Sequence, residues 1–368
     1  MEKVVARALE LIKIPSVSGN REAIRKIIGI VKNEFEGKGF FVTEYHFEEA
    51  DPVLLLANTP EMSFDILTIG HLDVVPAAEH MFTPVINDGK IHARGACDMK
   101  SQIAVNLEAL LYAARYPDLK FGVLITTDEE TTSNGIRQLA RQDLPDARIV
   151  LDNDSGSLFC LTEKYKHPVS VRLKARGEAA HSSMPWFGKN AVIGLIGCID
   201  DLQKHFPYYA KNAQIPGDTW VDTMTVTAFN SPTTYNVVPA EAEARINFRL
   251  TEKTSLQKLE EILAECAEKH DCSYEILLSS SGVYMDANHP IIRKYRQVAV
   301  QVLGRELSVG HSCGATDSRP FGQKSTIIMH SVDGGDLHGD HEYVVISSIL
   351  QLLEIQKKFI DEAAAGNV

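Results

Sequence analysis

Short uninterrupted apolar runs, separated by stretches of helical periodicity, dominate the first part of the chain. Residues 66–69, 121–125 and 149–151 are continuous hydrophobic segments, the pattern of strands covered on both faces of a largely parallel sheet. Between the first two, Ile103, Leu107, Leu110, Leu111 and Ala114 recur at helical spacing and predict a helix over residues 101–115. From about Lys166 the pattern changes. Strands are predicted at 168–176, 223–229, 242–250 and 273–278, and helices near 190–205 and 255–269. Alternation in Val169, Val171 and Leu173, and in Ala244, Ile246, Phe248 and Leu250, gives each sheet strand one buried face. The order strand, helix, strand, strand, helix, strand is the split βαβ, or ferredoxin-like, pattern. After about Ser281 a helix near 290–303, the apolar run 326–329 and a closing helix near 345–363 return to the first style. The sequence therefore predicts an α/β protein. A mostly parallel-sheet domain comprises residues 1–165 and 282–368, and a ferredoxin-like α+β domain, residues 166–281, is inserted into it.

Composition narrows the function classes. A chain of 368 residues with 44% hydrophobic and 23% charged residues suits two soluble domains, each with its own core. Residues 1–14 read as an amphipathic helix carrying Glu2, Lys3, Arg7 and Glu10 rather than as an export signal. No apolar run approaches the roughly 20 residues that cross a bilayer, so no membrane association and a cytoplasmic location are expected. Cys97, Cys160, Cys198, Cys266, Cys272 and Cys313 are scattered without a C-x-x-C pair, which suits reduced thiols. The net charge of -12 disfavours nucleic acid as a partner.

The residues just beyond each buried run carry the chemistry, because ligands gather at the carboxyl ends of strands in open α/β sheets. Residues 66–69 lead into Gly70-His71-Leu72-Asp73, residues 121–125 into Asp128-Glu129-Glu130, residues 149–151 into Asp152-Asn153-Asp154, and residues 326–329 through Gly334-Gly335 to His338. Between the first two, Asp98 stands just ahead of a helix. Nitrogen and oxygen donors without thiolate suit zinc, cobalt or manganese, and two such ions need about five protein ligands. His71 and Asp98 could hold one ion and Asp98 with Glu130 or Asp152 the other, with His338 completing the set; Asp154 is a rival ligand. Three carboxylates and two neutral imidazoles leave one positive charge on two dications, which suits activation of a water as a nucleophile.

Gly70-His71-Leu72-Asp73, Ala93-Arg94-Gly95-Ala96-Cys97-Asp98-Met99-Lys100, Thr127-Asp128-Glu129-Glu130, His181-Ser182-Ser183, Asn236-Val237-Val238-Pro239 and Gly314-Ala315-Thr316-Asp317 occur in this order. Together they resemble the dinuclear zinc family of acetylornithine deacetylase, succinyl-diaminopimelate desuccinylase, aminoacylase and glutamate carboxypeptidase. The resemblance spans nearly the whole chain. It implies a zinc-peptidase-like catalytic domain, with His71 and His338 as terminal ligands, Asp98 as the bridging carboxylate, and Glu130 and Asp152 each on one ion. It implies Glu129 as the general base, Asp73 as the residue that fixes the His71 ring, and a cis peptide at Asp98-Met99. The inserted domain is implied to be a dimerisation lid whose His181 stabilises the oxyanion in the partner's site. Asn236, Arg249, Gly314, Ala315 and Thr316 are implied to bind substrate, a small N-acyl amino acid or a dipeptide.

Departures bear on substrate more than on metal. Ala93 stands where the family commonly has glycine, residues 74–78 lack its tryptophan-containing stretch, and Asp152-Asn153 stands where the deacetylases usually have Glu-Pro. Two alternatives come from other classes. Gly310-His311-Ser312-Cys313-Gly314 matches the nucleophile elbow of serine hydrolases, with Asp333 and His338 later in the chain, although Pro320 opposes the long helix that the elbow needs. A metal-binding scaffold without catalysis is the other, and the presence of Glu129 argues against it. His341-Glu342 begins like a zincin motif but lacks the second histidine, since Val345 occupies that place.

Overall fold

The computed structural model describes residues 2–209, 211, 213–215, 219–232, 235–314, 316–322 and 324–368. The chain divides into two compact units, one formed by Met1–Lys164, Met285–Ser312 and Thr316–Val368, the other by Tyr165–Tyr284 with a short piece around Cys313.

The first unit is built on a mixed sheet in the order Phe41–Tyr45, Val53–Ala57, Phe121–Thr126, Ser63–His71, Asp146–Asp152, Thr326–Met329 and Cys160–Tyr165. Its four central strands, from Phe121–Thr126 to Thr326–Met329, run parallel, and antiparallel strands flank them. Ile66, Leu67, Ile69, Val123, Leu124, Ile149 and Val150 are all buried, as strands covered on both faces require. Each such side chain stabilises the fold by about 1.5–3 kcal/mol. The helix Ser101–Ala113 lies against Ser63–His71 and Phe121–Thr126, with helices Lys3–Ile12 and Ile346–Ala364 packed on it. It is buried nearly all round rather than along one stripe: Ser101, Gln102 and Asn106 are inside, while Leu111 is exposed. The buried amides are partly paired, with Gln102 Oε1, Asn106 Nδ2 and Gln356 Oε1 left without a partner. Gln102 donates to the Cys97 carbonyl and Ser331, and Gln356 donates to Asn106 and Asn153. A small antiparallel sheet joins Gly334–Gly335, Tyr343–Val345, Lys90–His92 and Val85–Asn87.

The second unit has strands His167–Arg176, Thr223–Asn230, Glu241–Leu250 and Cys272–Ser279 with helices Ala191–His205 and Leu256–Lys269. All strand pairs are antiparallel, and in chain order the strands stand second, third, first, fourth across the sheet, which is the ferredoxin-like arrangement. The inward faces, including Val169, Val171, Leu173, Ala244, Ile246 and Phe248, form a core with Leu195, Leu202, Leu259 and Leu263 from the helices.

Candidate metal centre

Three parallel strands deliver the site. In the ladder, His71 pairs with Thr126 and Ile69 pairs with Asp152, so His71, the loop after Thr126 and the residues just beyond Asp152 leave the sheet side by side. Two groups of donors result, and they share one residue. His71, Asp98 and Asp154 form the first; Asp98, Glu130 and His338 form the second.

The donor atoms within each group lie close together. His71 Nε2 lies 3.1 Å from Asp98 Oδ1 and 3.5 Å from Asp154 Oδ1. His338 Nε2 lies 3.1 Å from Asp98 Oδ2 and 3.0 Å from Glu130 Oε2. Donors at 2.0–2.1 Å from a tetrahedral zinc would be separated by about 3.3 Å, so the spacing fits. Asp98 turns one oxygen to each imidazole. The Asp98–Met99 peptide is cis. In the first group His71 is buried and the two aspartates are half-buried, whereas His338 has a side chain 53% exposed, so the second group opens toward solvent.

The tautomer of His71 also fits. Its Nδ1 lies 2.9 Å from the Asp73 carbonyl, which can only accept, so Nδ1 carries a proton and Nε2, which faces the acids, is the nitrogen a cation would take in place of its own proton. The Asp73 carboxylate is 3.5 Å from Nδ1 and has further partners: it accepts from Ser18 Oγ and from the backbone N–H groups of Glu129 and Glu130. Asp73 thus joins the His71 strand end to the loop bearing both glutamates.

Crowded acids leave the site short of positive charge. Burial, reinforced by Asp98, raises the Glu130 carboxyl to about 7, and one of its oxygens is buried without a hydrogen-bond partner. Burial and the charge of Asp154 push Glu129 well above the usual carboxylate range. Burial does the same to Asp154, against the pull of His71. Burial would lower the His71 imidazole, but Asp154, Asp73 and Asp98 outweigh it and hold its pKa well above the ordinary value. Asp98 goes the other way: despite burial, its hydrogen bonds to His338 and His71 keep it below the usual range. Divalent cations at the two groups would replace the shared protons and remove this conflict.

Asp152 is placed differently from the sequence expectation. It is still inside the ladder, opposite Ile69 and Met329, and its carboxylate accepts from Thr316 Oγ1 at 2.7 Å, from Ser318 Oγ and from the Asp154 backbone N–H at 3.0 Å. Asp154, two residues on, lies in the bend past the strand end, where its Oδ1 comes 3.5 Å from His71 Nε2. Thr316 is buried, with its hydroxyl directed to Asp152. Glu129 stands outside both donor groups.

In the second unit, His181 is exposed. The Ser183 N–H donates to its Nδ1, leaving the proton on Nε2. The Asn236 carbonyl accepts from the Ser182 N–H, and Arg249 Nε donates to Asn247 Oδ1. Gly314 is exposed, and Ala315 lies outside the described residues. The serine-elbow alternative fails on geometry. Ser308–Ser312 is a strand, and no helix directly succeeds it among the described residues; the next helical turn, Arg319–Phe321, is three residues long. The elbow requires the strand to pass straight into a helix. His338, its candidate partner, faces Asp98 and Glu130 instead.

No helix of the described residues is long and apolar enough to cross a membrane. A succinyl-diaminopimelate desuccinylase of Thiobacillus denitrificans is 26% identical over 382 residues, covering 98% of this chain and 94% of that protein. Among solved structures, an M20 family metallo-carboxypeptidase of Sulfolobus solfataricus superposes with a TM-score of 0.76 at 18% identity, covering 99% of this chain and 100% of that one. A tripeptidase of Staphylococcus aureus gives a TM-score of 0.76 at 22% identity, with 98% of each chain covered. Both share the fold of a catalytic domain with an inserted lid domain. Residues 67–362 match the family described as Peptidase family M20/M25/M40. With that match over most of its length and donor groups suited to divalent metal, the chain belongs to peptidase family M20/M25/M40 and is a hydrolase acting on amide bonds.

Proposed function

We propose that this chain cleaves the amide bond of a small N-acyl amino acid or dipeptide at a pair of divalent ions, zinc in the native protein, with cobalt and manganese also suited to the donors. The observation that carries this is the arrangement around Asp98, whose two oxygens each lie 3.1 Å from a different imidazole. His71, Asp98 and Asp154 would hold one ion, and Asp98, Glu130 and His338 the other. Two such ions, when bound, acidify a water and polarise the scissile carbonyl.

The remaining steps belong to the chain's own groups. Glu129, kept off the metals, takes a proton from the attacking water and returns it to the leaving amine. Asp73 holds its backbone N–H and so aims that carboxylate. His181, with its proton on Nε2, is a donor suited to a developing oxyanion. Arg249 and Asn236 are assigned to the substrate's carboxylate, and Gly314, Ala315 and Thr316 to substrate binding, where Thr316 has only its backbone to offer, since its hydroxyl goes to Asp152. The N-acyl side of the substrate choice is supported by the desuccinylase relative. A homodimer through the inserted domain and a cytoplasmic location belong to the same proposal; exposed Trp186, Phe187, Ile193 and Ile196 on that domain support the dimer.

Two measurements test this. Exhaustive chelation should abolish hydrolysis of N-acyl amino acids or dipeptides, and zinc, cobalt or manganese should restore it; turnover that survives chelation contradicts the metal mechanism, and failure of both substrate classes contradicts the substrate assignment. Separately, Asp154→Asn should cost one of two bound ions in metal analysis after dialysis. Asp152→Asn should keep both while losing about 1–3 kcal/mol of stability in denaturant unfolding, through an imperfectly satisfied buried polar network. The reverse pattern would return the ligand role to Asp152.

A further inference from the structure

His341-Glu342 looks in sequence like an incomplete metal motif, yet Glu342 is among the most thoroughly bonded side chains in the protein. It is 1% exposed. One carboxylate oxygen accepts from the backbone N–H groups of Cys97 at 2.9 Å and Asp98 at 3.1 Å. The other accepts from the Gly95 N–H at 3.1 Å and from Arg94 Nη1 at 2.6 Å. Arg94, itself 2% exposed, uses Nη2 to donate to the carbonyls of His338 at 3.0 Å and Gly339 at 3.1 Å. The small sheet sets this up: Tyr343 pairs with His92, and the Ala93 N–H donates to the Glu342 carbonyl, so residues 93–98 and 338–342 run side by side.

Glu342 therefore gathers the backbone of the segment ending in Asp98, while Arg94, at the start of that segment, grips the backbone carrying His338. Neither reaches a donor atom of the two metal groups. His338 sits at φ +63°, in the left-handed region that a non-glycine residue adopts only where its surroundings enforce it. We propose that Arg94 and Glu342 are positioning residues, a buried clamp that fixes the Asp98 carboxylate and the His338 imidazole relative to one another and so sets the affinity and geometry of the site they share.

The clamp rests on the two-ion assignment, and the test separates them. The metal-free full-length protein is titrated with Co2+, monitoring its d–d absorption, in wild type, Glu342→Gln, Arg94→Lys and, as a ligand control, Asp98→Asn; thermal unfolding is recorded with and without the ion. Gln keeps the shape but turns an amide N–H against backbone N–H groups, and Lys keeps the charge but loses the planar fork. Both clamp variants should still bind two equivalents, each about 10–100-fold more weakly and with altered absorption bands. Unchanged affinity and spectrum, even with a lowered unfolding temperature, would overturn the clamp and leave the two residues as ordinary structural partners. If Glu342→Gln does not fold, Arg94→Lys alone decides between these outcomes. A wild type that takes up no cobalt sensitive to Asp98→Asn would refute the metal assignment, and the clamp with it.

Discussion

Replacing Glu129 by alanine should lower kcat by about 10²–10⁴-fold, equivalent to roughly 3–5 kcal/mol of transition-state stabilisation, while two metal ions remain bound. The two effects separate because of placement. Glu129 is outside both donor groups, whereas its neighbour Glu130 is inside the second, and a single carboxylate of Asp73 holds the backbone N–H of each. Removing the Glu129 side chain leaves those N–H groups and every ligand in place, so metal analysis should be unchanged as turnover collapses. Substrate KM should move far less than kcat, because the lost group acts on the proton in flight rather than on the ground state. Turnover within a few-fold of wild type would remove Glu129 from the role of base.

Asp98→Ala should be harsher, because it takes a donor from both groups at once. Each group of three would fall to two, and His71 and His338 would lose the partner that faces them both. The expected result is fewer than one ion per chain after dialysis and activity at background, restored by neither excess zinc nor cobalt at ordinary concentrations. Folding should survive: Asp98 makes its main-chain contact to Glu342 through its backbone N–H, which alanine retains, and the surrounding core is independent of it. Retention of two ions in this variant would show that the carboxylate does not bridge.

Much of the fold and of the site is legible in the amino-acid order. Predicted helices at 190–205, 255–269 and 290–303 coincide within a residue with Ala191–His205, Leu256–Lys269 and Pro290–Leu303, because caps and a clear apolar stripe mark them. The strand ends that bear the candidate ligands are legible because a parallel sheet exposes its carboxyl edge, where acids and imidazoles stand out against the apolar runs before them. Three kinds of feature escape. The antiparallel flanks, Phe41–Tyr45 and Val53–Ala57, carry no ligands and so leave no chemical mark, although Val53-Leu54-Leu55-Leu56-Ala57 is an apolar run like the others. The choice between Asp152 and Asp154 depends on where the strand stops. Asp152 is still in the ladder, opposite Ile69, while Asp154 lies in the bend beyond it and beside His71, which the apolar pattern does not reveal. The Arg94–Glu342 pair is hidden for a different reason: its partners are 248 positions apart and bind mostly backbone, for which a sequence has no pattern.

The most direct test is crystallographic. Crystals grown with zinc, with data collected on both sides of the zinc absorption edge, should show two anomalous peaks per chain. One should be within coordination distance of His71, Asp98 and Asp154, the other of Asp98, Glu130 and His338, with Glu129 touching neither. A single peak, peaks placed elsewhere, or Asp152 reaching a metal in place of Asp154 would contradict the assignment.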